Sequence, residues 1–391
     1  DAEVLSRKGF YKLSMDVLNR AEKIALKHHK NFILAEVAPR KIELIVADEE
    51  KKLTEQLDEL YEQTQKIHHQ LQEESSYIYW HHWFVLIFRK WRYPKDPQVL
   101  QQMEEGYQFV IQKGFPTEGT FQMQYYYYTI QSVYYQLIKE YEKGNEIHAK
   151  ILMLWESNPD IIKERRSVYM GRLANYINSS LTCEKYELVY PLIEKLEALK
   201  TTTFDEQGEQ FQNVYFYKQL YYLNSKQLEM AEELIPEIEK GLKKYAQKIN
   251  PARKLTFYYN STITYFLLEE YETAADWLNK ILTLTRSHEP RKDVQRFARI
   301  LQMAIYYKLS SHKVLEYLFR SVYRDKKLKA EMHVFEKIVL QYFKKLLTIL
   351  ADSREEKALF KLFKEDLDRL KPLEKSVTGF EEFFIWVSRM C

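Results

Sequence analysis

Apolar residues recur every three or four positions along most of the chain, which is the pattern of helices with one buried face. In residues 271–282, Ala274, Leu278 and Ile281 follow this spacing, and Leu282 widens the apolar stripe. The spacing predicts an α-helix that packs one face against its neighbours.

The stretch "FYYNSTITYF" at 257–266 has the composition of a β-strand, because Phe, Tyr, Thr and Ile crowd it and Asn260 is a poor helix former. Tyr258, Thr262 and Tyr265 nevertheless fall four and three residues apart, on one helical face. The flanking segments have a helical pattern, so we predict a helix here, with packing overriding propensity.

A similar segment recurs about every 42 residues. Aligned on the Tyr of "EEYETA", the equivalent positions are Tyr141, Tyr186, Leu228, Tyr271 and His312, with successive spacings of 45, 42, 43 and 41. Weaker equivalents lie near Val99, Leu53 and Tyr11. The predicted units are roughly 1-30, 31-74, 75-116, 120-159, 165-203, 208-249, 251-290 and 292-328, followed by a C-terminal hairpin and cap at 329-391. Such periods are typical of arrays of stacked helical hairpins.

Composition favours the same fold class. The 391 residues include only 9 Gly and 10 Pro, too few for the turns of a large β-protein, so we expect an all-α fold. Pro116, Pro159, Pro251 and Pro290 fall between the predicted units, where helices end.

Cysteine usage and hydropathy indicate where in the cell the protein is expected. Cys183 and Cys391 are expected to be free thiols in a reducing cytoplasm. The longest apolar run, 83–88, is far shorter than the ~18 residues of a membrane span. The chain opens on Asp1 and shows no secretory leader, and the sequence leaves open whether an upstream segment precedes it.

At these positions the chain resembles the tetratricopeptide-repeat superfamily. The family's motif positions 4, 11, 17, 20, 24 and 27 correspond to Tyr258, Tyr265, Tyr271, Ala274, Leu278 and Ile281. The period is longer than the family's 34 residues, and position 8, usually Gly or Ala, holds Ser132, Ile177, Gln219 and Thr262. In these departures the chain is similar to divergent bacterial proteins of this superfamily, including peptide-responsive regulators.

The resemblance implies a right-handed α-solenoid of about eight hairpins, closed by a C-terminal capping helix in "VTGFEEFFIWVSRM". It also implies a concave groove lined by the first helix of each unit, where such proteins bind peptides. The groove positions carried over to this sequence are Tyr126, Asn175, Asn178, Asn213, Phe216, Tyr217, Tyr259 and Asn260.

Asparagine recurs on that face although it is unfavourable inside helices. Its amide can pair with the N–H and C=O of an extended peptide, whatever the peptide's side chains. The alternative is that these asparagines are hydrated on helix surfaces or bridge neighbouring helices.

A basic segment suggests a second kind of partner. Residues 286-329 hold 12 Lys or Arg against 4 Asp or Glu, within a chain of formal net charge +3. Arg291, Lys292, Arg296 and Arg299 form its candidate basic patch, since the last three share one helical stripe. Such a patch can meet nucleic acid or an acidic partner, but a solvated face is the favoured explanation, since no nucleic-acid fold signature accompanies the patch.

No chemistry-bearing motif is present in the sequence. Adjacent histidines at 28–29, 68–69 and 81–82 diverge by about 100° on a helix, so they do not form a metal pair. There is no nucleophile elbow, no glycine-rich phosphate loop and no Cys cluster.

We therefore expect no enzyme activity, metal or cofactor, and a scaffold that binds a protein or peptide. The alternatives are a partner bound through the basic segment, and an intracellular regulator whose effector domain lies upstream.

Overall fold

A computed structural model describes residues 1–28, 30–47, 53–91, 94–284, 291–349, 353–375 and 377–391. These residues form α-helices and no strand, which confirms the all-α prediction. The helices are α1 (Ala2–Arg7), α2 (Tyr11–Lys27), α3 (Asn31–Ala47), α4 (Leu53–Lys90), α5 (Pro97–Lys113), α6 (Phe121–Leu137), α7 (Tyr141–Glu156), α8 (Pro159–Glu164), α9 (Arg166–Thr182), α10 (Tyr186–Glu197), α11 (Phe204–Asn224), α12 (Leu228–Glu233), α13 (Ile235–Lys244), α14 (Pro251–Leu267), α15 (Tyr271–Leu284), α16 (Lys292–Lys308), α17 (His312–Arg324), α18 (Lys326–Glu331), α19 (Val334–Leu346), α20 (Arg354–Glu374) and α21 (Phe380–Arg389).

The chain divides into two compact units, Asp1–Glu184 and Lys185–Cys391. In unit 1 the packing runs α2 on α3, α3 on α4, α4 on α6, α6 on α7 and α7 on α9. In unit 2 it runs from α10 to α20 in the same neighbour-to-neighbour order, through α11, α12, α14, α15, α16, α17 and α19. This order within each unit is compatible with a helical solenoid; the handedness and the number of repeats stay predictions.

The repeat seen in the sequence corresponds to a repeated helix corner. The five strong alignment positions, at 141, 186, 228, 271 and 312, are each the first residue of a helix. Two residues before each start, the backbone is left-handed, with φ between 53° and 66° at Lys139, Glu184, Lys226, Glu269 and Ser310.

These corners also have the same pattern of backbone hydrogen bonds. The N–H of Glu140 donates to the carbonyl of Tyr135 at 2.8 Å, and the N–H of Glu270 donates to Tyr265 at 2.9 Å. This six-to-one bond is that of a Schellman turn, which ends one helix and turns the chain into the next.

Most helix positions agree with the sequence, but three predicted unit boundaries fall inside helices: 74/75 in α4, the start at 208 in α11, and 328/329 in α18. The β-like stretch lies inside α14, where Thr256, Thr262 and Thr264 each donate a hydroxyl hydrogen bond to the carbonyl four residues earlier. By contrast, α4 continues through the boundary predicted at 74/75. Pro159 and Pro251 each begin a helix, whereas Pro290 lies outside the described residues.

The C-terminal helix α21 packs on the core of unit 2, where it contacts α14, α19 and α20. The Trp386 ring lies 5.9 Å from that of Phe266 in α14, 6.3 Å from Phe343 in α19 and 5.7 Å from Phe360 in α20, measured between centroids. Phe383 and Val387 are fully buried beside it, and Phe384 is half-buried. The helix therefore covers first helices of several hairpins rather than only the last one.

Gly379 makes this position possible. It has a left-handed φ of 86°, and a Cβ at this residue would lie 2.2 Å from the Phe297 ring of α16. The turn into α21 thus needs both the conformational freedom and the small size of glycine.

Candidate functional site

A pocket of about 450 Å³ opens in unit 1 between α4, α6, α7 and α9. We call it the Arg172 pocket. Its lining residues are His81, Val85, Phe88, Thr129, Ser132, Val133, Gln136, Tyr141, Gly144, His148, Ile151, Arg172, Asn175, Asn178, Ser179 and Thr182. Two of the predicted groove residues, Asn175 and Asn178, are among them and are exposed.

Helix α9 presents a polar stripe to the pocket and buries the opposite side. Arg172, Asn175, Ser179 and Thr182 recur at three, four and three residues, so they lie along one face. Leu173 and Ile177 are fully buried on the other side. The amphipathic pattern of α9 therefore fixes which side chains reach the pocket.

Arg172 is the one side chain with a permanent charge among the described lining residues. Its Nη1 donates to the Tyr125 hydroxyl at 2.6 Å, and its guanidinium lies 5.6 Å from the centre of that ring. Its Nε is buried and meets no acceptor within the part of the chain that the structure describes. A buried donor without a partner costs about 1–3 kcal/mol, so a ligand acceptor here would remove that cost.

Both histidines of the pocket are neutral at physiological pH. Burial, followed by the nearby charges of His82 and Arg172, lowers the pKa of His81 to about 4. Burial, followed by the charge of Arg172, lowers the pKa of His148 to about 4 as well. The pocket therefore carries the single positive charge of Arg172 near pH 7.

Tyr126 lies at the edge of this pocket and is half-buried. Its ring stacks on His81, with centroids 4.4 Å apart, and His81 Nδ1 is 3.0 Å from the Thr129 hydroxyl. The structure thus brings Tyr126, Asn175 and Asn178 to one region of unit 1.

The predicted groove residues of unit 2 are less accessible. Asn213 and Phe216 are half-buried, while Tyr217, Tyr259 and Asn260 are buried. The Asn260 amide nitrogen has no hydrogen-bond partner among the described residues. Asn260 is 3% exposed and is not among the lining residues of the Arg172 pocket.

Helix α21 contributes to this burial. The Glu382 carboxyl of α21 lies beside the Tyr259 hydroxyl, and burial raises the pKa of Tyr259 well above 10 and also raises that of Glu382. In unit 2 the chain's own C-terminal helix thus covers Tyr259.

The predicted basic patch is largely balanced by acidic neighbours. Arg291 pairs with Asp293 at 2.7 Å, Arg296 with Glu336 at 2.9 Å, and Arg299 with Asp325 at 3.1 Å. Lys292 is exposed. Residues 286–290, the start of the basic segment, lie outside the described residues.

The search for a metal centre among the described residues gives a negative result. No group of three or more His, Cys, Asp or Glu lies close enough within the described ranges to hold a metal ion. His81 contacts the Thr129 hydroxyl, and the lining residues include no carboxylate. The geometry suits binding through hydrogen bonds and one charge.

Sequence reasoning missed Arg172 and His148, and it considered His81 only as a metal ligand. The available signal was the polar stripe of α9, in which Arg172 precedes Asn175 by three residues on the same face. The histidines gave no such signal, because their role depends on α4, α6 and α7 meeting around α9.

No protein-family model, curated protein or solved structure matches this chain. No described helix combines the length and apolarity that a membrane crossing requires.

Proposed function

We propose that this chain is a non-enzymatic scaffold that binds a peptide or a segment of a partner protein in the Arg172 pocket. The observation that carries this proposal is the buried, unpartnered Nε of Arg172 in a pocket that is also lined by two exposed asparagines. The bound segment would present a carboxylate, either at its C-terminus or on an acidic side chain.

A carboxylate fits the electrostatics of the pocket. Arginine binds carboxylates through parallel N–H donors, and such charge-assisted bonds are stronger than neutral ones. The two neutral histidines add no competing charge, while the amides of Asn175 and Asn178 can pair with peptide N–H and C=O groups. Val85, Phe88 and Ile151 supply apolar surface for side chains.

The wider proposal is a cytoplasmic, right-handed α-solenoid of about eight hairpins in which the first helices form the binding face. The repeated left-handed corners and the neighbour-to-neighbour packing within each unit support it. An upstream effector domain would make the scaffold a regulator. Nucleic-acid binding through the basic segment is an alternative that no contact in the structure favours, since three of its four candidate residues are ion-paired.

The test uses N-acetylated random hexapeptides with free C-terminal carboxylates, and the selected sequences are then resynthesised with C-terminal amides. We expect Arg172→Gln to weaken binding of the selected peptides by about 10- to 100-fold, because a hydrogen bond to a charged group contributes roughly 1.5–3 kcal/mol. Arg40→Gln is the matched control, since Arg40 is an exposed arginine of unit 1 paired with Glu36.

Peptides that bind equally well to Arg172→Gln and to the wild-type chain would refute the proposal, provided that circular dichroism shows unchanged helicity. Binding that requires no carboxylate anywhere in the peptide would also refute it. A parallel titration with DNA and RNA at rising salt tests the alternative, because phosphate contacts weaken steeply with salt.

A further inference from the structure

A second and larger cavity, of about 710 Å³, lies in unit 1 beside the Arg172 pocket. We call it the Glu74 cavity. It lies between the start of α3, the middle of α4, the start of α6, and α8. Its lining residues are Lys27, His28, Lys30, Asn31, Phe32, Ile33, Leu71, Glu74, Ser75, Ile78, Thr120, Phe121, Gln122, Tyr126, Ser157, Asn158, Pro159, Asp160, Ile161, Glu164 and Arg165.

Glu74 is a half-buried carboxyl group in this cavity. Burial raises its pKa, while the neighbouring Asn31 amide, the Thr120 hydroxyl and the Lys30 charge lower it. Burial has the largest effect on the Glu74 pKa, which is therefore raised, and the carboxylate is only partly hydrated. A ligand that brings a positive hydrogen-bond donor would stabilise it.

Asn31 provides a second polar group in the same cavity. The residue is 6% exposed, and its Nδ2 meets no acceptor at hydrogen-bonding distance among the described residues, although the amide lies near enough to Glu74 to lower its pKa. The cavity therefore combines an acceptor, the Glu74 carboxylate, with an unused donor, the Asn31 amide.

The cavity also has apolar walls. Phe32 is 82% exposed, Ile33 44% and Ile78 39%, which is unusual for such large side chains next to each other in one cavity. Phe121 adds a buried aromatic ring. Besides Glu74, the lining holds three basic side chains, Lys27, Lys30 and Arg165, and two acidic ones, Asp160 and Glu164. The half-buried Glu74 carboxylate brings the formal charge of the lining to balance.

We propose that the Glu74 cavity binds the amino-terminal residue of a peptide with a large apolar first side chain. The α-ammonium pairs with the Glu74 carboxylate, the first carbonyl oxygen accepts from Asn31 Nδ2, and the side chain packs on Phe32, Ile33 and Ile78. An N-terminal residue is the part of a peptide that offers these three features within one residue.

This inference rests on the proposed function, since it takes the ligand to be a peptide. The Glu74 cavity and the Arg172 pocket meet at Tyr126, which lines the cavity and stacks on His81 of the pocket. Glu74 and His81 lie seven residues apart on α4, which is about 10 Å along the helix axis. A short extended peptide at ~3.3 Å per residue would connect the two sites, with its amino end at Glu74 and its carboxylate at Arg172.

The test uses three small probes: L-phenylalaninamide, N-acetyl-L-phenylalaninamide and phenethylamine. Each is titrated at about pH 6.5, where an α-amino group is charged, and followed by protein NMR shifts. We expect saturable millimolar binding of phenylalaninamide, at least fivefold weaker binding of the acetylated probe, and weaker binding of phenethylamine, which lacks the carbonyl. Glu74→Gln should weaken phenylalaninamide binding about 10-fold.

Glu73→Gln is the matched control, because Glu73 is the adjacent carboxylate on α4 and pairs with Lys113 outside the cavity. It should leave probe binding unchanged. Equal binding of the acetylated probe, an equal effect of the two Glu variants, or no saturable binding of phenylalaninamide overturns the inference. Phenethylamine binding as tightly as phenylalaninamide overturns the role of Asn31.

The two proposals fail in different ways. If binding at Arg172 shows no preference for a carboxylate, but phenylalaninamide still binds in a Glu74-dependent way, only the proposed function is refuted. If N-acetylated peptides still bind in an Arg172-dependent way, but Glu74→Gln does not change the binding of phenylalaninamide, only this inference is refuted.

Discussion

Replacing Arg296 with methionine is expected to destabilise unit 2 strongly, because it removes one half of a buried ion pair. Arg296 Nε donates to both carboxylate oxygens of Glu336 at 2.9 Å, and the two side chains are only 10% and 1% exposed. Glu336 also accepts the backbone N–H of His333 at 2.7 Å, at the start of α19. The variant therefore leaves a buried carboxylate with one backbone donor in place of its cation.

The expected cost follows from this geometry. Removing one partner of a buried ion pair destabilises proteins by about 3–5 kcal/mol, since the remaining charge stays desolvated. The matched control is Arg299→Met, whose pair with Asp325 is 48% and 35% exposed. Water and salt screen that pair, so its loss should cost at most about 1 kcal/mol.

Guanidinium chloride unfolding and thermal melting, both followed by circular dichroism, measure the difference. For a unit of this size, 1 kcal/mol shifts the melting temperature by roughly 2–4 °C, so Arg296→Met should lower it by about 6–20 °C. The double variant Arg296→Met with Glu336→Gln should recover part of the loss. Glutamine carries no charge and still offers an oxygen to the His333 N–H.

The reasoning is refuted if Arg296→Met loses no more stability than Arg299→Met, or if the double variant is no more stable than the single one. The result also bears on function. Arg296 belongs to the predicted basic patch, and a destabilised variant would lose any bound partner through unfolding. Lys292→Glu changes an exposed member of the patch and is the better probe of nucleic-acid binding.

Two further predictions concern a helix corner and the Arg172 pocket. Lys226→Gly should stabilise the protein by about 0.5 kcal/mol in denaturant titrations. The left-handed φ of 60° costs a non-glycine residue about 1–2 kcal/mol, and glycine relieves this strain. Part of the gain is offset because glycine loses about 0.5–1 kcal/mol more backbone entropy on folding. Lys226→Ala keeps the strain and should be near neutral; equal effects of the two would contradict this account. Unit 1 should lose stability as pH falls from 6.5 to about 4, because the pKa of His148 is lowered to about 4 in the fold, so only the unfolded chain binds the proton in that window. His148→Gln should flatten this dependence, by at most roughly 3 kcal/mol, and an unchanged pH profile of unfolding would show that His148 is not its source.

The features that the sequence predicted well are local. The helix starts at Tyr141 and Tyr271 follow from a 3.6-residue apolar period and a short corner, which are encoded within about ten neighbouring residues. Packing overrides the β-strand propensity of residues 257–266. The flanking segments already show a helical period, so the sequence was sufficient to predict a helix there as well. Asn175 and Asn178, which the family resemblance assigned to the groove, are exposed on α9.

The features that the sequence did not reveal depend on residues far apart along the chain. Arg296 meets Glu336 forty residues later, and Arg172 meets Tyr125 forty-seven residues earlier. The predicted exposure of Tyr259 and Asn260 depended on what lies opposite α14, and the carboxyl group beside Tyr259 belongs to α21, more than a hundred residues away. Periodicity states which residues share a face, but not which other face covers them.

The sequence by itself therefore determined an all-helical chain of recurring hairpins, because backbone geometry and the spacing of apolar side chains act over one or two helical turns. The tertiary structure alone decided where polar groups remain unsatisfied, at Arg172 and Asn31, and which charges are neutralised. Those outcomes depend on the desolvation and pairing of groups from separate helices, and both are set only when the helices pack.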